Sequence, residues 1–311
     1  MHVHALAADD QGPPPLAMCT PIDPMPVWDQ KGPWIEAFIG TFKQPACKDP
    51  IWSPKTDDEL RQRTLAVMER NNIIGVVAGR QVMVAAWAKD APARVLPSLE
   101  PSPGDLADAD AMTRMFKQAK AAGKLAVIGE LGMQYEGIPV DSPKLEALWQ
   151  AAEAADVPVA IHMGPGPPGV AHFPGSGYRA RLSSPLLLED ILVRHPRLRV
   201  NVMHAGFPML DDTLALLYAH PQVYVDLGVI IYTQPPAAFH RYLKALVEAG
   251  FGNRIMFGSD QMVWPETIER AIGVIQAAPY LSAAQKRAIF YDNAARFLRL
   301  DAATIARHNA M

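Results

Sequence analysis

The sequence predicts a single α/β domain built as a (β/α)8 TIM barrel, and three observations support this. Short apolar runs of about four to six residues recur along the chain, and a helical pattern follows each of them. The runs are continuously apolar, which is typical of parallel strands covered by helices. Eight such units fit within the 311 residues, a length suited to one barrel domain over residues 1–311.

The eight predicted strands recur along the chain. They cover residues 2–4, 73–77, 94–99, 125–130, 157–162, 198–204, 223–227 and 255–260. No Gly-x-Gly-x-x-Gly follows the first strand, which disfavours the alternative of a doubly wound sheet that binds a dinucleotide.

Helical patterns lie between these strands. Thr56 and Glu59 form a predicted capping box at the start of the first helix. Gly123 is the predicted C-terminal cap of a helix over residues 105–122. Further helices are predicted over residues 81–89, 142–155, 185–195, 209–220, 237–249, 266–277 and 283–298.

Residues 9–56, here called the insertion, interrupt this alternation after the first strand. They hold ten of the 29 prolines, both cysteines, and the tryptophans Trp28, Trp34 and Trp52. The aromatic residues argue against disorder, and a long segment without strong periodicity is typical of a functional loop. Because the insertion leaves the carboxyl end of the first strand, where barrel active sites lie, we predict a lid or pocket wall. A structural wrap is the alternative.

Composition and charge exclude several classes of protein. Half of the residues are hydrophobic, enough to form a core and to exclude a disordered chain. The net charge is −3 and no basic block occurs, so no nucleic-acid partner is expected. The most apolar stretch, residues 73–88, is interrupted by Arg80 and is too short to span a membrane. We therefore expect a small-molecule substrate, and apolar helices such as residues 186–193 leave a homodimer open.

The two cysteines, Cys19 and Cys47, form no zinc-binding motif. A disulfide between them requires export and suitable geometry, and at this point both alternatives stay open. A first strand of ordinary length needs residues before Met1, so we expect that a leader or short lead-in has been removed. Localisation is therefore open between the cytoplasm and an exported state.

Six side chains that commonly bind metals stand at the carboxyl ends of predicted strands. They are His2, His4, Glu130, His162, His204 and Asp260. In a barrel these strand ends converge on one small volume, where imidazoles and carboxylates make a nitrogen and oxygen site for a divalent metal. His2 and His4 are alternate residues of one strand, so both point to the same side. A hydrogen-bonded core residue is the alternative for any single member, but the joint pattern favours a metal site.

Candidates for substrate binding lie in the segments that follow these strands. Tyr178, Arg179 and Arg181 belong to the loop after the fifth strand, where an arginine would pair with a substrate carboxylate. A solvated loop charge is the alternative for these arginines. Trp264 follows the eighth strand and would form a pocket wall or pack in the core.

The remaining histidines are given no catalytic role. His195, His220 and His240 lie at or in outer helices and are predicted to be on the surface, while His308 belongs to the terminal tail. Asp226 lies within the seventh strand, where it would support the site from behind.

The order of these motifs resembles the amidohydrolase superfamily. The resemblance rests on His-Val-His at residues 2–4, Gly-Glu-Leu-Gly around Glu130, Ile-His-Met-Gly around His162, Met-His-Ala-Gly around His204 and Gly-Ser-Asp at Asp260. Within the superfamily, residues 185–196 and 293–298 are similar to the amidohydrolase-2 (amidohydrolase-related) proteins. The resemblance extends to Leu300 and is weak in the insertion.

The resemblance implies a metal-dependent barrel hydrolase, with decarboxylases among the relatives. It implies that His2, His4 and His162 are metal ligands. It also implies that Asp260 is both a ligand and the acceptor of the water proton. His204 would be either a ligand of a second ion or a stabiliser of the transition state.

Glu130 departs from the pattern of many relatives, which place a carboxylated lysine on the fourth strand, so one ion and two ions both stay open. Zn²⁺ is the expected metal, with Mn²⁺ and Fe²⁺ as alternatives. The expected reaction is hydrolysis of an amide, ester or lactone of a small organic substrate by a metal-activated water. The alternatives are a decarboxylase resembling aminocarboxymuconate semialdehyde decarboxylase, a TatD-type phosphodiesterase, which the negative net charge disfavours, and a non-catalytic binding barrel.

Overall fold

The computed structural model describes residues 1–102, 106 and 108–311. Its strands, in chain order, are β1 (His2–Ala5), β2 (Ala17–Met18), β3 (Ile51–Trp52), β4 (Gly75–Gly79), β5 (Val95–Leu99), β6 (Val127–Leu131), β7 (Val159–His162), β8 (Val200–Met203), β9 (Val223–Asp226) and β10 (Ile255–Met256). All except β2 and β3 form one curled parallel sheet in sequential order, with helices in the connections. The predicted (β/α)8 fold is confirmed.

The helices lie between the strands and after the last one. They are α1 (Trp34–Lys43), α2 (Asp57–Arg70), α3 (Gln81–Asp90), α4 (Ala109–Ala121), α5 (Glu146–Ala154), α6 (Glu189–Arg194), α7 (Leu210–Ala219), α8 (Ile230–Thr233), α9 (Pro236–Leu246), α10 (Thr267–Ala277), α11 (Ala283–Arg287), α12 (Asn293–Phe297) and α13 (Ala302–Asn309). The predicted start of the helix over 105–122, at residue 105, lies outside the described residues. In the described part of the chain, no helix has both the length and the apolar character that crossing a bilayer requires.

Thr56 and Gly123 cap their helices as the sequence predicts, but the predicted capping box at Thr56 is incomplete. The Thr56 hydroxyl accepts a hydrogen bond from the Glu59 amide at 3.2 Å, so Thr56 is the N-cap of α2. The Glu59 carboxylate, however, accepts from the Lys55 amide instead of the Thr56 amide, so only half of the predicted capping box forms. Gly123 follows α4 with a φ of +67°, the left-handed conformation expected of a C-terminal cap.

The strands end earlier than the apolar runs suggest at two positions that matter for the site. The predicted strand over 255–260 pairs only over Ile255–Met256, and Asp260 has a φ of +52°. The strand predicted to end at His204 ends at Met203, and His204 has a φ of +57°. Left-handed backbone cannot continue a strand, so both side chains belong to the turns that leave the sheet.

Strand β1 separates its side chains as the alternation predicts. Val3 is fully buried on the helix side, in a cluster with Val67 and Met68 of α2. His2 and His4 therefore point to the other side, toward the barrel axis.

The insertion is folded, with a helix that its sequence did not reveal. It contains α1 and the antiparallel pair of β2 with β3, and a disulfide joins Cys19 to Cys47. The indole nitrogen of Trp34 donates to the carbonyl of Pro168 at 2.7 Å, in the loop after β7. The amide of Ile22 donates to a carbonyl in the segment after β9. The insertion thus packs on segments that leave the carboxyl ends of the strands.

The prediction that His195 and His220 lie on the surface is wrong, because only 7% and 9% of these residues are exposed. Each directly follows the last residue of a helix, α6 and α7 respectively, where the chain turns back toward the sheet. The ring of His195 pairs with Glu146 of α5 at 2.8 Å. His240 is half-buried and contacts the Tyr280 hydroxyl at 2.8 Å.

Trp34 should anchor the insertion to the barrel. We expect Trp34→Ala to lower the free energy of unfolding by about 3–5 kcal/mol, because a buried indole and its hydrogen bond are lost. The same substitution should speed proteolysis within the insertion. Urea denaturation and limited proteolysis with mass spectrometry measure both effects.

Trp52→Ala is the matched control, because Trp52 belongs to the same segment but is 44% exposed. It should change the free energy of unfolding by less than about 1 kcal/mol. Equal effects of the two substitutions would contradict the anchoring role of Trp34.

Candidate metal centre

The structure brings all six predicted strand-end side chains into one cluster. One group that could hold a metal contains His2, His4, Glu130 and Asp260, and a second contains Glu130, His162 and His204. Within each group the ligand atoms lie within 4.8 Å of one another. Glu130 belongs to both groups, so its carboxylate is the centre of the cluster.

The first group surrounds one oxygen of Glu130. Nε2 of His4 lies 3.0 Å from Glu130 Oε2 and 2.9 Å from Asp260 Oδ1. Nε2 of His2 lies 3.4 Å from the same Glu130 oxygen, and the His2 and His4 rings pack edge to face. One imidazole nitrogen of His4 therefore faces two carboxylates, although it carries at most one proton.

The second group surrounds the other oxygen of Glu130. Nδ1 of His162 lies 2.6 Å from Glu130 Oε1 and 3.0 Å from Nε2 of His204. Nδ1 of His204 lies 3.0 Å from the carbonyl of Gly228. Because a carbonyl only accepts, this contact places a proton on Nδ1 and directs Nε2 of His204 toward the cluster.

Two glycines permit the close approach of the strands around the cluster. Gly129 precedes Glu130 with a φ of +135°, and a Cβ there would lie 2.3 Å from the carbonyl oxygen of Ala160. A Cβ on Gly164 would lie 2.5 Å from the Cβ of His204. A larger residue at either position would push a cluster side chain or its strand out of place.

Asp226 supports His204 from below, as its sequence position suggested. It is the last residue of β9 rather than a mid-strand residue, and it is 1% exposed. Its Oδ1 accepts hydrogen bonds from the amides of Gly228 and His204, at 2.8 and 3.3 Å. Its Oδ2 accepts from the side chain of Asn201 at 2.7 Å.

Sequence reasoning missed several described residues that touch the cluster, among them Gln134, Tyr135 and Gln261. The Tyr135 hydroxyl lies 3.1 Å from Nε2 of His162, and the Gln134 side chain donates to the His162 carbonyl at 2.8 Å. Gln261 contacts the backbone of His4. Their one signal in the sequence is proximity to a predicted ligand, since Gln134 and Tyr135 closely follow Glu130 and Gln261 follows the proposed ligand Asp260.

Burial and the two carboxylates set opposite protonation states in neighbouring histidines. Burial by itself lowers the pKa of His4, but the carboxylates of Asp260 and Glu130 close to its Nε2 outweigh burial and raise the pKa to about 10. Burial is likewise outweighed at His204, where Glu130 raises the pKa to about 9. Burial dominates at His2 and His162 and lowers the pKa of both, helped by the neighbouring imidazoles.

The carboxylates are ionised in this environment. Burial opposes ionisation of Glu130, but hydrogen bonds with His162, His204 and His4 hold its pKa well below the usual range. The pKa of Asp260 is also lowered, because its hydrogen bond with His4 outweighs burial.

The donor set fits a divalent metal ion. Neither ring nitrogen of His2 makes a hydrogen bond to the described residues, although His2 is only 8% exposed. A buried polar group without a partner is unusual in a protein, and a metal would satisfy it. Imidazole nitrogens and carboxylate oxygens are ligands that zinc, manganese and iron accept.

The predicted substrate-binding residues are not members of either metal-binding group. Trp264 is fully buried, and its indole nitrogen donates to the Leu16 carbonyl at 2.9 Å. It therefore packs against the insertion, which agrees with the alternative that Trp264 packs in the core. Arg179 and Arg181 are exposed. Tyr178 is 7% exposed and lies beside the Tyr135 ring, with 5.7 Å between ring centroids.

Comparisons with known proteins identify a family. The sequence profile of Amidohydro_2, described as amidohydrolase, matches residues 1–300. No curated protein sequence matches the chain.

Solved structures resemble the chain in fold. The 5-carboxyvanillate decarboxylase LigW from Sphingomonas paucimobilis is 18% identical, with a TM-score of 0.57 over 76% of this chain and 82% of that one. A dihydroxybenzoic acid decarboxylase from a Polaromonas species, with bound manganese and an inhibitor, is 14% identical, with a TM-score of 0.58 over 80% and 91%. A probable 2-pyrone-4,6-dicarboxylic acid hydrolase from Acinetobacter baumannii, with bound citric acid, is 14% identical, with a TM-score of 0.58 over 82% and 93%. At these identities the likeness establishes the barrel fold alone.

Metal binding at this cluster should release protons. The pKa values of about 10 for His4 and about 9 for His204 lie above neutrality, so both rings are protonated at pH 7 in the metal-free protein. A metal ligand must be deprotonated, so an ion that binds His4 should release about one proton, and its affinity should rise with pH up to that range. Release of a second proton, from His204, is expected only where His204 also binds a metal. Isothermal titration calorimetry in buffers of different ionisation enthalpy counts the protons. Binding without proton release would contradict these protonation states.

Proposed function

Because the chain belongs to the Amidohydro_2 family of amidohydrolases, we propose that it is a metal-dependent hydrolase. The proposed reaction is cleavage of an amide, ester or lactone bond in a small organic substrate. One observation carries the proposal: four imidazoles and two carboxylates meet at the carboxyl ends of the barrel strands, where barrel enzymes hold their reactive groups.

The metal ligands would be His2, His4, Glu130, His162 and Asp260. His204 would be either a ligand of a second ion or a stabiliser of the transition state, since it belongs to the second of the two groups that share Glu130. Zn²⁺ is the first candidate and Mn²⁺ the second, because this set of nitrogen and oxygen donors suits both. When bound, such an ion supplies an activated water near neutral pH and a positive charge that stabilises a developing oxyanion.

Asp260 and His204 would handle protons and charge in the hydrolysis. The ionised carboxylate of Asp260 would orient the attacking water, accept its proton and pass it to the leaving group. His204 has a pKa raised to about 9, with Glu130 as the chief cause of the rise. Its ring would therefore donate toward the negative charge that develops on the substrate oxygen.

Decarboxylation is the second candidate, because two of the three similar structures described above are named decarboxylases. The same side chains would catalyse decarboxylation, and only the role of Asp260 would change. Asp260, which is ionised in the free protein, would first take a proton from water and would then deliver it to the substrate carbon that loses carbon dioxide, instead of to a leaving oxygen or nitrogen.

The insertion would form one wall of the substrate site. Trp34 contacts the loop that leaves β7, and the Trp28 ring lies 5.0 Å from the ring of His172 in that loop. The aromatic rings in this wall would offer flat surfaces for stacking with an aromatic or unsaturated ring of the substrate.

Isotope labelling distinguishes the two reactions. The metal-loaded protein is incubated in ¹⁸O-water with 2-pyrone-4,6-dicarboxylic acid, 2,6-dihydroxybenzoate and 5-carboxyvanillate. Hydrolysis places ¹⁸O in the product acid without gas evolution, whereas decarboxylation evolves carbon dioxide and adds hydrogen to carbon. Mass spectrometry and a carbon dioxide assay measure the two products, and turnover of an ester or amide panel extends the test. Metal binding without turnover of any of these substrates would favour the non-catalytic barrel.

His162→Ala should abolish tight metal retention, because it removes a nitrogen that lies 2.6 Å from the central carboxylate. The measurement is elemental analysis of protein purified without chelator, which also gives the number of ions per chain. His240→Ala is the control, since this half-buried histidine pairs with Tyr280 away from the cluster. Unchanged metal content in His162→Ala would count against the assignment.

A further inference from the structure

The seam where the barrel closes is built differently from the rest of the sheet. Neighbouring strands from β1 and β4 through β9 and β10 pair through backbone ladders. Among the described residues no such ladder joins β10 to β1. The amides of Ser259 and Asp260 instead donate to the carbonyl of His2, at 3.3 and 3.1 Å.

A side chain completes the seam beside His4. Oε1 of Gln261 accepts a hydrogen bond from the His4 amide at 3.0 Å, and Nε2 of Gln261 donates to the His4 carbonyl at 2.7 Å. The amide group thus supplies one donor and one acceptor, as a neighbouring strand would. The Gln261 side chain is fully buried. Both flanking residues, Asp260 and Met262, have positive φ angles, so the backbone here has already left the strand direction.

We propose that Gln261 is a positioning residue, whose side-chain amide fixes His4 relative to Asp260 across the barrel seam. The proposal rests on the proposed function, in which His4 and Asp260 are metal ligands. These two residues come from opposite ends of the chain, yet His4 Nε2 lies 2.9 Å from Asp260 Oδ1. Metal–ligand distances must hold within about 0.2 Å. Gln261 is adjacent to Asp260, and its side chain binds both the amide and the carbonyl of His4. It therefore links the two predicted ligands directly.

A matched control separates positioning of the ligands from closure of the barrel. Asn293 is another fully buried amide, and its Nδ2 donates to the carbonyls of Gly252 and Ile255, at 3.0 and 2.7 Å. Its side chain contacts the backbone where the chain enters β10. It therefore stabilises the start of the strand that leads to Gln261, away from the predicted metal ligands. Gln261→Glu and Asn293→Asp make the same chemical change, since each replaces a buried NH₂ donor with a carboxylate oxygen.

The experiment uses the full chain loaded with Co²⁺, whose visible absorption reports coordination geometry. We expect Gln261→Glu to weaken Co²⁺ affinity about 10–100-fold, as loss of residues that orient ligands typically does, and to shift the absorption bands. Asn293→Asp should lower the unfolding midpoint of the metal-free protein but leave the affinity and the spectrum unchanged. If Gln261→Glu does not fold, Gln261→Met replaces it, because this variant removes both hydrogen bonds without adding charge. Its Co²⁺ affinity and absorption spectrum are judged in the same way.

The outcomes discriminate between the two proposals. Wild-type affinity and spectrum in the Gln261 variant would overturn the positioning role while leaving the metal centre intact. Equal weakening by Asn293→Asp would also overturn it, because general destabilisation would then explain the loss. A wild-type protein that fails to bind Co²⁺ would overturn the metal centre itself, and the role of Gln261 with it.

Discussion

The constraint on which the site depends is the burial of the Glu130 carboxylate at the barrel mouth. Only 11% of its side chain is exposed, and a buried carboxylate is costly unless charged or hydrogen-bonding partners surround it. One oxygen faces His2 and His4, and the other faces His162 and His204. The strand ends that carry these histidines are therefore held together by the shared carboxylate of Glu130 as well as by the hydrogen bonds of the sheet.

The backbones of these histidines are braced by buried polar side chains. Gln261 binds the backbone of His4, Gln134 binds the carbonyl of His162, and Asp226 accepts from the amide of His204. Strand ends have fewer ladder hydrogen bonds than strand centres, so such contacts supply the missing backbone partners. These contacts hold the predicted ligands in fixed positions relative to the strands that precede or follow them.

The sequence predicted the cluster but not its surroundings, for a physical reason. A polar residue at the end of an apolar run is a local signal, and the barrel geometry brings such residues together, which is why His2 and Asp260 were predicted. The burial of Trp264 depends on how the insertion docks, and a segment of 48 residues, 9–56, without strong periodicity gives no sign of its docked position. The surface prediction for His195 is wrong because the burial of a residue at a helix end depends on how the neighbouring helix packs against it. Gln261 acts through contacts across the seam, which no local pattern indicates.

Charge balance connects the metal-free and metal-bound states of the cluster. With His4 and His204 protonated and Glu130 and Asp260 ionised, the charges of these four groups sum to zero in the metal-free protein. Exchange of the His4 proton for one divalent ion would add one positive charge to this group. Loss of the His204 proton to a second divalent ion would add another positive charge. An anionic partner such as a substrate carboxylate would offset this added charge, because an unpaired charge is costly in a buried site.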